Sequence, residues 1–440
     1  MDTTTRKRTL APILVALLAV TAGCSFLGGQ APTASPPVST DAEAPAQSTA
    51  RTATATTGVT AVPPTDSTGT PTDAPWEGVG VQGTGNLSVD ADRVFDRVQR
   101  LHGVDVDPPI VTVDSLGSGE RPVLDSRFYE AFGVTGTATI AGRFGGGSSV
   151  FLNEDVEAQE RVLAHEFAHY VHSKAGWWPN RGRNLSVDET VAVEGVIEGS
   201  AVFASDAYAA ASESVEINGS RETRLDYEQG DEAFKVLVSK YLVGERYVDT
   251  LAADPSDLEP LLTDPPTTTE RLLHPTRNVS VGDLSVTADE SANWTTEPGH
   301  YGSNADRRGE LRLREILRLE LDRAMADAAA NGWDNDRSLT FTSTGEERRA
   351  AAAWTLRFEY ATETDEFAAA FDRFAERRSA NSSLAFATER VAPETVAVFA
   401  GNETFVDGAV ATGGNESVHI AAPGTNGTAS TQGARPLAAD

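Results

Sequence analysis

Two histidines and a glutamate, His165, His169 and Glu166, have the residue types and spacing that metal chemistry requires. Residues four apart lie on one face of a helix, so His165 and His169 can present two imidazole nitrogens to a single metal ion. Glu166 lies at the flank of that face, where its carboxylate can take a proton from a water molecule that the metal activates. The alternative is an ordinary helix that carries two histidines and a surface ion pair.

The segment around these residues favours the metal interpretation. Residues 154–174 are predicted to form one amphipathic helix, with Asn153 as its N-cap. Apolar residues precede and follow the motif at helical spacing, and no Gly or Pro occurs before Gly176. A buried helix of this kind is what a buried metal site requires.

A third ligand is needed, because zinc in catalytic sites takes three protein ligands and keeps one position for water. The long metalloprotease pattern would place a third histidine at position 175, but that residue is Ala175, so this subclass is excluded. A second predicted helix, residues 188–210, offers carboxylates at Glu194 and Glu198. The residues alone leave both glutamates as candidates.

The segment that begins at Glu198, Glu-Gly-Ser-Ala, resembles the Glu-Gly-x-Ala segment that commonly holds the third ligand in the glutamate-zincin group of metallopeptidases. This resemblance implies Glu198 as a Zn²⁺ ligand together with His165 and His169, and Glu166 as the catalytic base. The small residue Gly199 would then let the second helix approach the first closely. Glu194 would either orient a histidine from outside the ligand set or carry an ordinary surface charge.

Three further residues are weaker candidates. His172 lies one more turn along the histidine face and is expected to be a cleft-wall or solvated residue rather than a fourth ligand. His300 and Tyr301 follow a Pro-Gly turn, and either one could stabilise the oxyanion that develops during hydrolysis. Polar residues are common beside turns, so the structural interpretation of both is favoured.

The predicted fold class is α+β and zincin-like. A small N-terminal sheet would pack on the metal helix, and a mainly helical C-terminal half would follow. Strands are predicted at 109–113, 137–140 and 149–152, and the three glycines from Gly145 to Gly147 are predicted to form a hairpin turn. The predicted domain of this fold spans residues 85–400.

The charge of the chain excludes one class of partner. In 440 residues there are 65 acidic and 36 basic side chains, a formal net charge of −29, and only four of the basic residues are Lys. Nucleic acids are not expected as partners, because phosphate neutralisation needs Lys and Arg clusters. Such an acidic, lysine-poor composition resembles that of proteins from salt-loving archaea.

The N-terminus is predicted to be a targeting segment. Residues 1–24 combine basic residues, an apolar run from Leu10 to Ala22 and Cys24, which is the only cysteine. The end of that run resembles a lipoprotein cleavage box, so Cys24 is the expected lipidation site and the membrane an expected partner. The chain is therefore expected outside the cell, anchored to the outer face of the membrane.

Two low-complexity segments flank the predicted domain. Residues 25–84 are rich in Thr, Pro and Ala and are predicted to form a disordered stalk. Residues 401–440 are rich in Gly, Asn and Thr and are predicted to form a disordered tail. Nine of the 14 asparagines lie in Asn-x-Ser/Thr sites, where about three would be expected by chance, which suggests a glycosylated surface protein. These sites are Asn86, Asn184, Asn218, Asn278, Asn293, Asn381, Asn402, Asn415 and Asn426.

Together these motifs resemble an uncharacterised group of haloarchaeal surface proteins that share the two metal helices and a Gly-Trp-x-x-Asp-Arg segment, which is residues 332–337 here. The leading hypothesis is a cell-surface zinc metallopeptidase acting on peptides or proteins. The second is a peptidase-like envelope or binding lipoprotein without turnover, since no oxyanion-stabilising residue is identified. The sequence indicates no oligomeric state.

Overall fold

The computed structural model describes residues 78–115, 121–122, 126–134, 137–138, 142–179, 185–212, 219–299 and 305–424. Helices and several separate sheets occur together in this part of the chain, which confirms the α+β class. None of its helices is long and apolar enough to cross a membrane. The predicted signal segment, Cys24 and all of the predicted stalk before residue 78 lie outside the described residues.

The N-terminal part of the structure is a small sheet with helices packed against it. Its elements are β1 (Gly80–Gly83), α1 (Ala91–His102), β2 (Ile110–Asp114), β3 (Arg121–Pro122), α2 (Ser126–Ala131), β4 (Thr137–Ala138), β5 (Gly142–Phe144), β6 (Ser149–Asn153) and α3 (Gln159–Lys174). The strand order of the main sheet is β1-β2-β6-β5, in which β5 alone runs antiparallel to its neighbour. The predicted hairpin turn is confirmed, because Gly146 and Gly147 connect β5 to β6 with positive φ angles.

The strand β1 places the start of the folded unit earlier than predicted. Gly80 pairs with Ile110 and Gly83 with Val113 in a parallel ladder, so the predicted boundary at residue 85 is wrong. The flanking glycines and polar residues resemble a linker in composition. The strand forms because the edge of β2 supplies hydrogen-bond partners.

The helix α3, which carries the motif from His165 to His169, is the central helix of this part. Apart from the half-buried Glu160, its residues from Gln159 to His172 are buried, between the sheet, α1 and the next helix. Its predicted start is wrong: Asn153 is not an N-cap, because it is the last residue of β6 and pairs with Asp114. The helix begins at Gln159, without a side-chain cap at Ala158.

Helices dominate the middle of the chain. They are α4 (Val187–Ala210), α5 (Gly219–Gln229), α6 (Glu232–Leu251), a 3₁₀ turn (Pro255–Asp257), α7 (Glu259–Thr263) and α8 (Thr269–Leu273). The helix α4 begins with a capping box between Ser186 and Glu189 and is buried on most of its surface. It packs against both α3 and α6 and so lies between them.

Strands return in the last third, which corrects the prediction of a mainly helical C-terminal half. The elements are β7 (Ser285–Asp289), β8 (Trp294–Glu297), α9 (Gly309–Leu317), α10 (Arg323–Ala329), β9 (Trp333–Ser343), β10 (Ala350–Phe358), α11 (Ala361–Ala380), β11 (Ala385–Ala392), β12 (Thr395–Gly401), α12 (Glu403–Gly408), β13 (Val410–Gly413) and β14 (Ser417–Ala421). They form a five-stranded antiparallel sheet, β11-β12-β10-β9-β8, and a three-stranded sheet, β13-β14-β7.

Both faces of the five-stranded sheet are covered. In β10, Ala352, Trp354 and Phe358 face a core shared with α2, α9, α10 and α11. Ala351 and Ala353, which alternate with them along the strand, face a second core, shared with the three-stranded sheet. Strands buried on both faces are apolar throughout, which hides the period-two pattern that identifies half-buried strands.

The prediction of a disordered tail is wrong for residues 401–424. Asn402 caps α12 by accepting a hydrogen bond from the Phe405 backbone N–H. In β14, Val418 and Ile420 are buried in the second core, and the strand pairs in parallel with β7, more than 100 residues earlier in the chain. Pairing with β7 orders this segment, and the composition of the tail gives no indication of that pairing.

Candidate metal site

The candidate metal-site residues come from two neighbouring helices. His165, Glu166 and His169 lie on α3, and Glu198 lies on α4, which packs directly against it. All four side chains are almost completely buried, at 0–2% exposure. Burying a polar side chain without a partner costs free energy of folding. Four such side chains in one core would therefore destabilise the fold unless they had a function.

Three ligand atoms converge on one point. The Nε2 atoms of His165 and His169 are 3.1 Å apart, and Oε2 of Glu198 lies 3.2 Å from Nε2 of His169 and 3.4 Å from that of His165. Three atoms bound tetrahedrally to one zinc ion at about 2.0–2.1 Å lie about 3.3 Å from one another. The three side chains therefore fit a zinc ion, and they are the one group of this kind among the described residues.

The ionisation of these residues also suits a metal. Burial lowers the pKa of His165 to about 4, so its imidazole is neutral near pH 7, the form that binds metals. Burial acts to raise the pKa of Glu198, but the neighbouring His169 and His165 outweigh it and hold that pKa at about 2. Glu198 is therefore an ionised carboxylate, as a ligand must be.

Glu166 differs from the three ligand residues. Neither of its carboxylate oxygens has a hydrogen-bond partner among the described residues. Burial, and secondly the charge of Glu198, raise its pKa well above the ordinary value. The Phe144 backbone N–H and the Arg143 side chain oppose that rise, although neither makes a hydrogen bond of standard geometry with the carboxylate. A carboxyl group with a raised pKa beside a metal site can both accept and donate a proton.

Of the two candidate glutamates, the structure brings Glu198 and not Glu194 to the histidines. The Glu194 carboxylate accepts a hydrogen bond from Nζ of Lys240 on α6, at 2.7 Å, and the Lys240 side chain is 2% exposed. Nδ1 of His169 has no partner among the described residues. Glu194 therefore neutralises a buried lysine instead of orienting a histidine.

The predicted role of Gly199 is also corrected. A Cβ atom at Gly199 would lie 2.1 Å from the carbonyl carbon of Gly244, and one at Gly244 would lie 1.8 Å from the carbonyl oxygen of Gly195. The glycines of α4 therefore permit close contact with α6, and not with α3. They fix the position of α4 from the side opposite the histidines.

His172 belongs to a different cluster. Its Nε2 lies 3.0 Å from Nε2 of His102 on α1, and its ring stacks on Trp177. Nδ1 of His102 lies 2.7 Å from the carbonyl oxygen of Val98, so neutral His102 carries its proton on Nδ1 and accepts from His172. Burial lowers the pKa of both histidines. The pair joins α1 to α3, and the placement of His172 outside the metal set holds.

Several predicted positions lie outside the described residues: His300, Tyr301, Asn184, Asn218 and Asn426. Four other candidate glycosylation sites are exposed: Asn86, Asn278, Asn293 and Asn381. The remaining two, Asn402 and Asn415, are partly buried and their side chains are hydrogen-bonded, to Phe405 and to Glu394 respectively. Whether any site is glycosylated stays a prediction.

One residue near the site was not anticipated from the sequence. Tyr241 on α6 is 1% exposed, and burial, followed by the charges of Glu198 and Glu166, raises its pKa well above the ordinary value. No local motif identifies it, because it reaches Glu198 only through the packing of α6 on α4.

A cavity of about 1220 Å³ is lined by residues of α5, α6 and α9, and none of the four candidate metal-site residues lines it.

Comparison with known proteins adds one finding. Residues 297–429 match a family described as a domain of unknown function (DUF8575). That segment covers less than half of the chain, contains β9 to β14, and excludes all four candidate metal-site residues. No curated protein and no solved structure matches the chain.

Proposed function

We propose that this protein is a zinc-dependent metallopeptidase with a zincin-like catalytic core. The observation that carries the proposal is the convergence of Nε2 of His165, Nε2 of His169 and Oε2 of Glu198 within 3.1–3.4 Å, with the unpartnered carboxylate of Glu166 one residue from a ligand. A zinc ion held there would supply a Lewis acid that lowers the pKa of water and polarises a carbonyl.

The proposed role of Glu166 is to move protons. Its carboxylate takes a proton from the attacking water and then gives it to the leaving amine. Burial supports this role, because a raised pKa brings the carboxyl group closer to neutral pH, where proton transfer in both directions is fastest. His165 and His169 are held on α3 as neighbouring ligands, while Glu198 supplies one negative charge.

The edge strand β5 supports a peptide as the substrate. Among the described strands, β5 pairs only with β6, so its other edge has free backbone groups. It packs against α3, and the Phe144 backbone N–H lies close enough to Glu166 to affect its pKa. An extended peptide that paired with this edge would bring a backbone carbonyl next to the site.

The proposed setting is the outer face of the cell membrane. It is supported by the N-terminal basic and apolar segment, by the single cysteine at position 24, and by the excess of Asn-x-Ser/Thr sites. The acidic, lysine-poor composition supports the proposed relation to haloarchaeal surface proteins.

The test of the proposed activity is Glu166→Gln, with Glu157→Gln as control. Glu157 is exposed just before α3, so its substitution should change neither metal content nor activity. Glu166→Gln should keep about one zinc per chain and lose about 10²–10⁴-fold in peptide hydrolysis, because the amide cannot accept a proton. Metal analysis and cleavage of a peptide library, with and without chelator, measure both.

Two outcomes would contradict the proposal in different ways. Undiminished hydrolysis by Glu166→Gln would show that another group is the base. Bound zinc in the unsubstituted protein without chelator-sensitive cleavage would favour the second hypothesis, a peptidase-like binding protein.

A further inference from the structure

Besides those of Glu166, several buried oxygen atoms near the candidate metal site have no hydrogen-bond partner among the described residues, and two of them lie where α6 packs on α4. One is Oε1 of Glu198, the oxygen that does not face the histidines, and the other is the phenolic oxygen of Tyr241. The two side chains are 0% and 1% exposed. Because an unsatisfied buried polar atom costs about 1–3 kcal/mol, two such atoms in neighbouring side chains are best explained as partners of each other.

The packing of α4 on α6 brings the two side chains together. Glu198 lies between Gly195 and Gly199 on α4, and both glycines contact Gly244 on α6. Tyr241 is one turn before Gly244 on the same face of α6. The ion pair between Glu194 and Lys240, immediately before Tyr241, fixes the relative position of the helices one turn earlier.

The chemistry of the two groups assigns the donor and the acceptor. A phenol carries its proton near neutral pH, so the Tyr241 hydroxyl can donate. A carboxylate that binds a metal ion is ionised and can only accept. The tyrosine hydroxyl is therefore the donor, and the carboxylate oxygen the acceptor, of a charge-assisted hydrogen bond.

We propose that Tyr241 is a positioning residue that donates its hydroxyl proton to Oε1 of Glu198 and so holds Oε2 toward His165 and His169. The structure places the two groups side by side without a hydrogen bond of standard geometry. The bond is proposed for the zinc-loaded protein, in which the ion fixes Oε2. This inference rests on the proposed metal site, but not on peptide hydrolysis.

The test compares Tyr241→Phe with Tyr247→Phe in the full chain. Both substitutions remove only a hydroxyl from a buried tyrosine of α6, and Tyr247 lies in a different apolar cluster. Partners of metal ligands typically contribute 10–100-fold in metal affinity, so Tyr241→Phe should weaken Zn²⁺ binding by about that factor. Tyr247→Phe should not change it. Competition with a chromophoric chelator measures the affinity.

A second readout separates positioning from general stability. With Co²⁺ in place of Zn²⁺, the visible absorption bands report the ligand geometry, and they should shift in Tyr241→Phe but not in Tyr247→Phe. Unchanged Zn²⁺ affinity and Co²⁺ bands in a folded Tyr241→Phe protein would overturn the proposal. A fall in kcat alone, with affinity retained, would also overturn it, because the hydroxyl would then act on the substrate.

Two further measurements keep the test decisive. If Tyr241→Phe does not fold, the hydroxyl of Tyr241 can be observed directly in the Tyr247→Phe protein. Adding Zn²⁺ to that protein should shift its tyrosine ultraviolet absorption. An unchanged spectrum would overturn the proposal. Unsubstituted protein that binds no Zn²⁺ would overturn both this inference and the metal site. Protein that binds Zn²⁺ but cleaves no peptide would overturn only the proposed activity.

Discussion

Glu194 and Glu198 lie one turn apart on α4, yet their surroundings assign them different roles. Oε2 of Glu198 faces two histidines, whereas the carboxylate of Glu194 binds the ammonium of Lys240. Both are followed by Gly, so helical spacing alone treats them alike. The Glu-Gly-Ser-Ala resemblance favours Glu198, and the packing of α4 against α3 and α6 gives each glutamate its partner.

This difference predicts opposite results for the two Glu→Gln substitutions. Glu194→Gln leaves Lys240 buried without a counter-ion and should lower the free energy of unfolding by about 2–3 kcal/mol, less than for a fully buried pair because Glu194 is partly exposed. Its Zn²⁺ affinity should be nearly unchanged. Glu198→Gln should lose Zn²⁺ binding instead. Denaturant unfolding and chelator competition measure the two effects.

The double variant Glu194→Gln with Lys240→Met is the control, because it removes the unpaired charge and should recover most of the lost stability. Zinc binding must be measured where Glu194→Gln is still folded. If this folded variant lost zinc binding, the assignment of Glu198 as the third ligand would be contradicted.

At the residue scale the sequence predicted which side chains of the candidate site converge. The motif from His165 to His169 predicts a shared helix face, and the structure places those imidazoles together because helical spacing is a local property. Tyr241 and the Lys240–Glu194 pair could not be predicted in this way. They depend on contacts between residues more than 40 positions apart, for which a single sequence has no spacing rule.

At the scale of elements, the helix crossing of α4 and α6 determines how accurately Glu198 is held. The backbones approach so closely at Gly199 and Gly244 that no side-chain atom fits between them. Gly195 is different, because a Cβ atom there would meet Leu272 Cδ2 at 2.6 Å, the end of a flexible side chain. The three glycines therefore provide a graded test of the crossing.

Gly244→Ala should destabilise the protein by about 3 kcal/mol or more, because the new methyl group meets backbone that cannot move without separating the helices. Gly199→Ala should behave similarly, and both should weaken Zn²⁺ binding. Gly195→Ala is the matched control and should cost less, since Leu272 can change rotamer and alanine favours a helix by about 1 kcal/mol. Thermal unfolding and zinc affinity check the order, and equal effects at all three positions would contradict it.

The elements themselves were predictable where their pattern is local. The helix α1 begins at Ala91, with the Asp90 side chain accepting from Arg93 N–H, as its apolar spacing and cap predict. The strand β14 was missed, because its two buried residues Val418 and Ile420 stand in a segment rich in Gly and Asn. It forms by pairing with β7, and long-range pairing of that kind leaves no mark on local composition.

At the scale of the whole molecule, charge is the dominant property. The formal net charge is −29, and many of the arginines, such as Arg314, Arg318 and Arg378, are already committed to ion pairs with carboxylates. Exposed acids without such a partner repel one another over distances that grow as the salt concentration falls. Glu154, Asp155 and Glu157, all exposed just before α3, are three acids within four residues that have no ion-pair partner in the part of the chain that the structure describes.

The protein should therefore gain stability with salt, and part of that gain should come from this acidic segment. Raising KCl from about 0.1 M to about 2 M shortens the screening length from about 10 Å to less than 3 Å, and the unfolding temperature should rise by several degrees or more. Neutralising Glu154, Asp155 and Glu157 to their amides should raise the unfolding temperature at low salt and leave it nearly unchanged at high salt, because screening already removes that repulsion. Calorimetry of the two proteins across the salt series measures this difference. An equal shift at every salt concentration would mean that the substitutions act through local structure and not through charge.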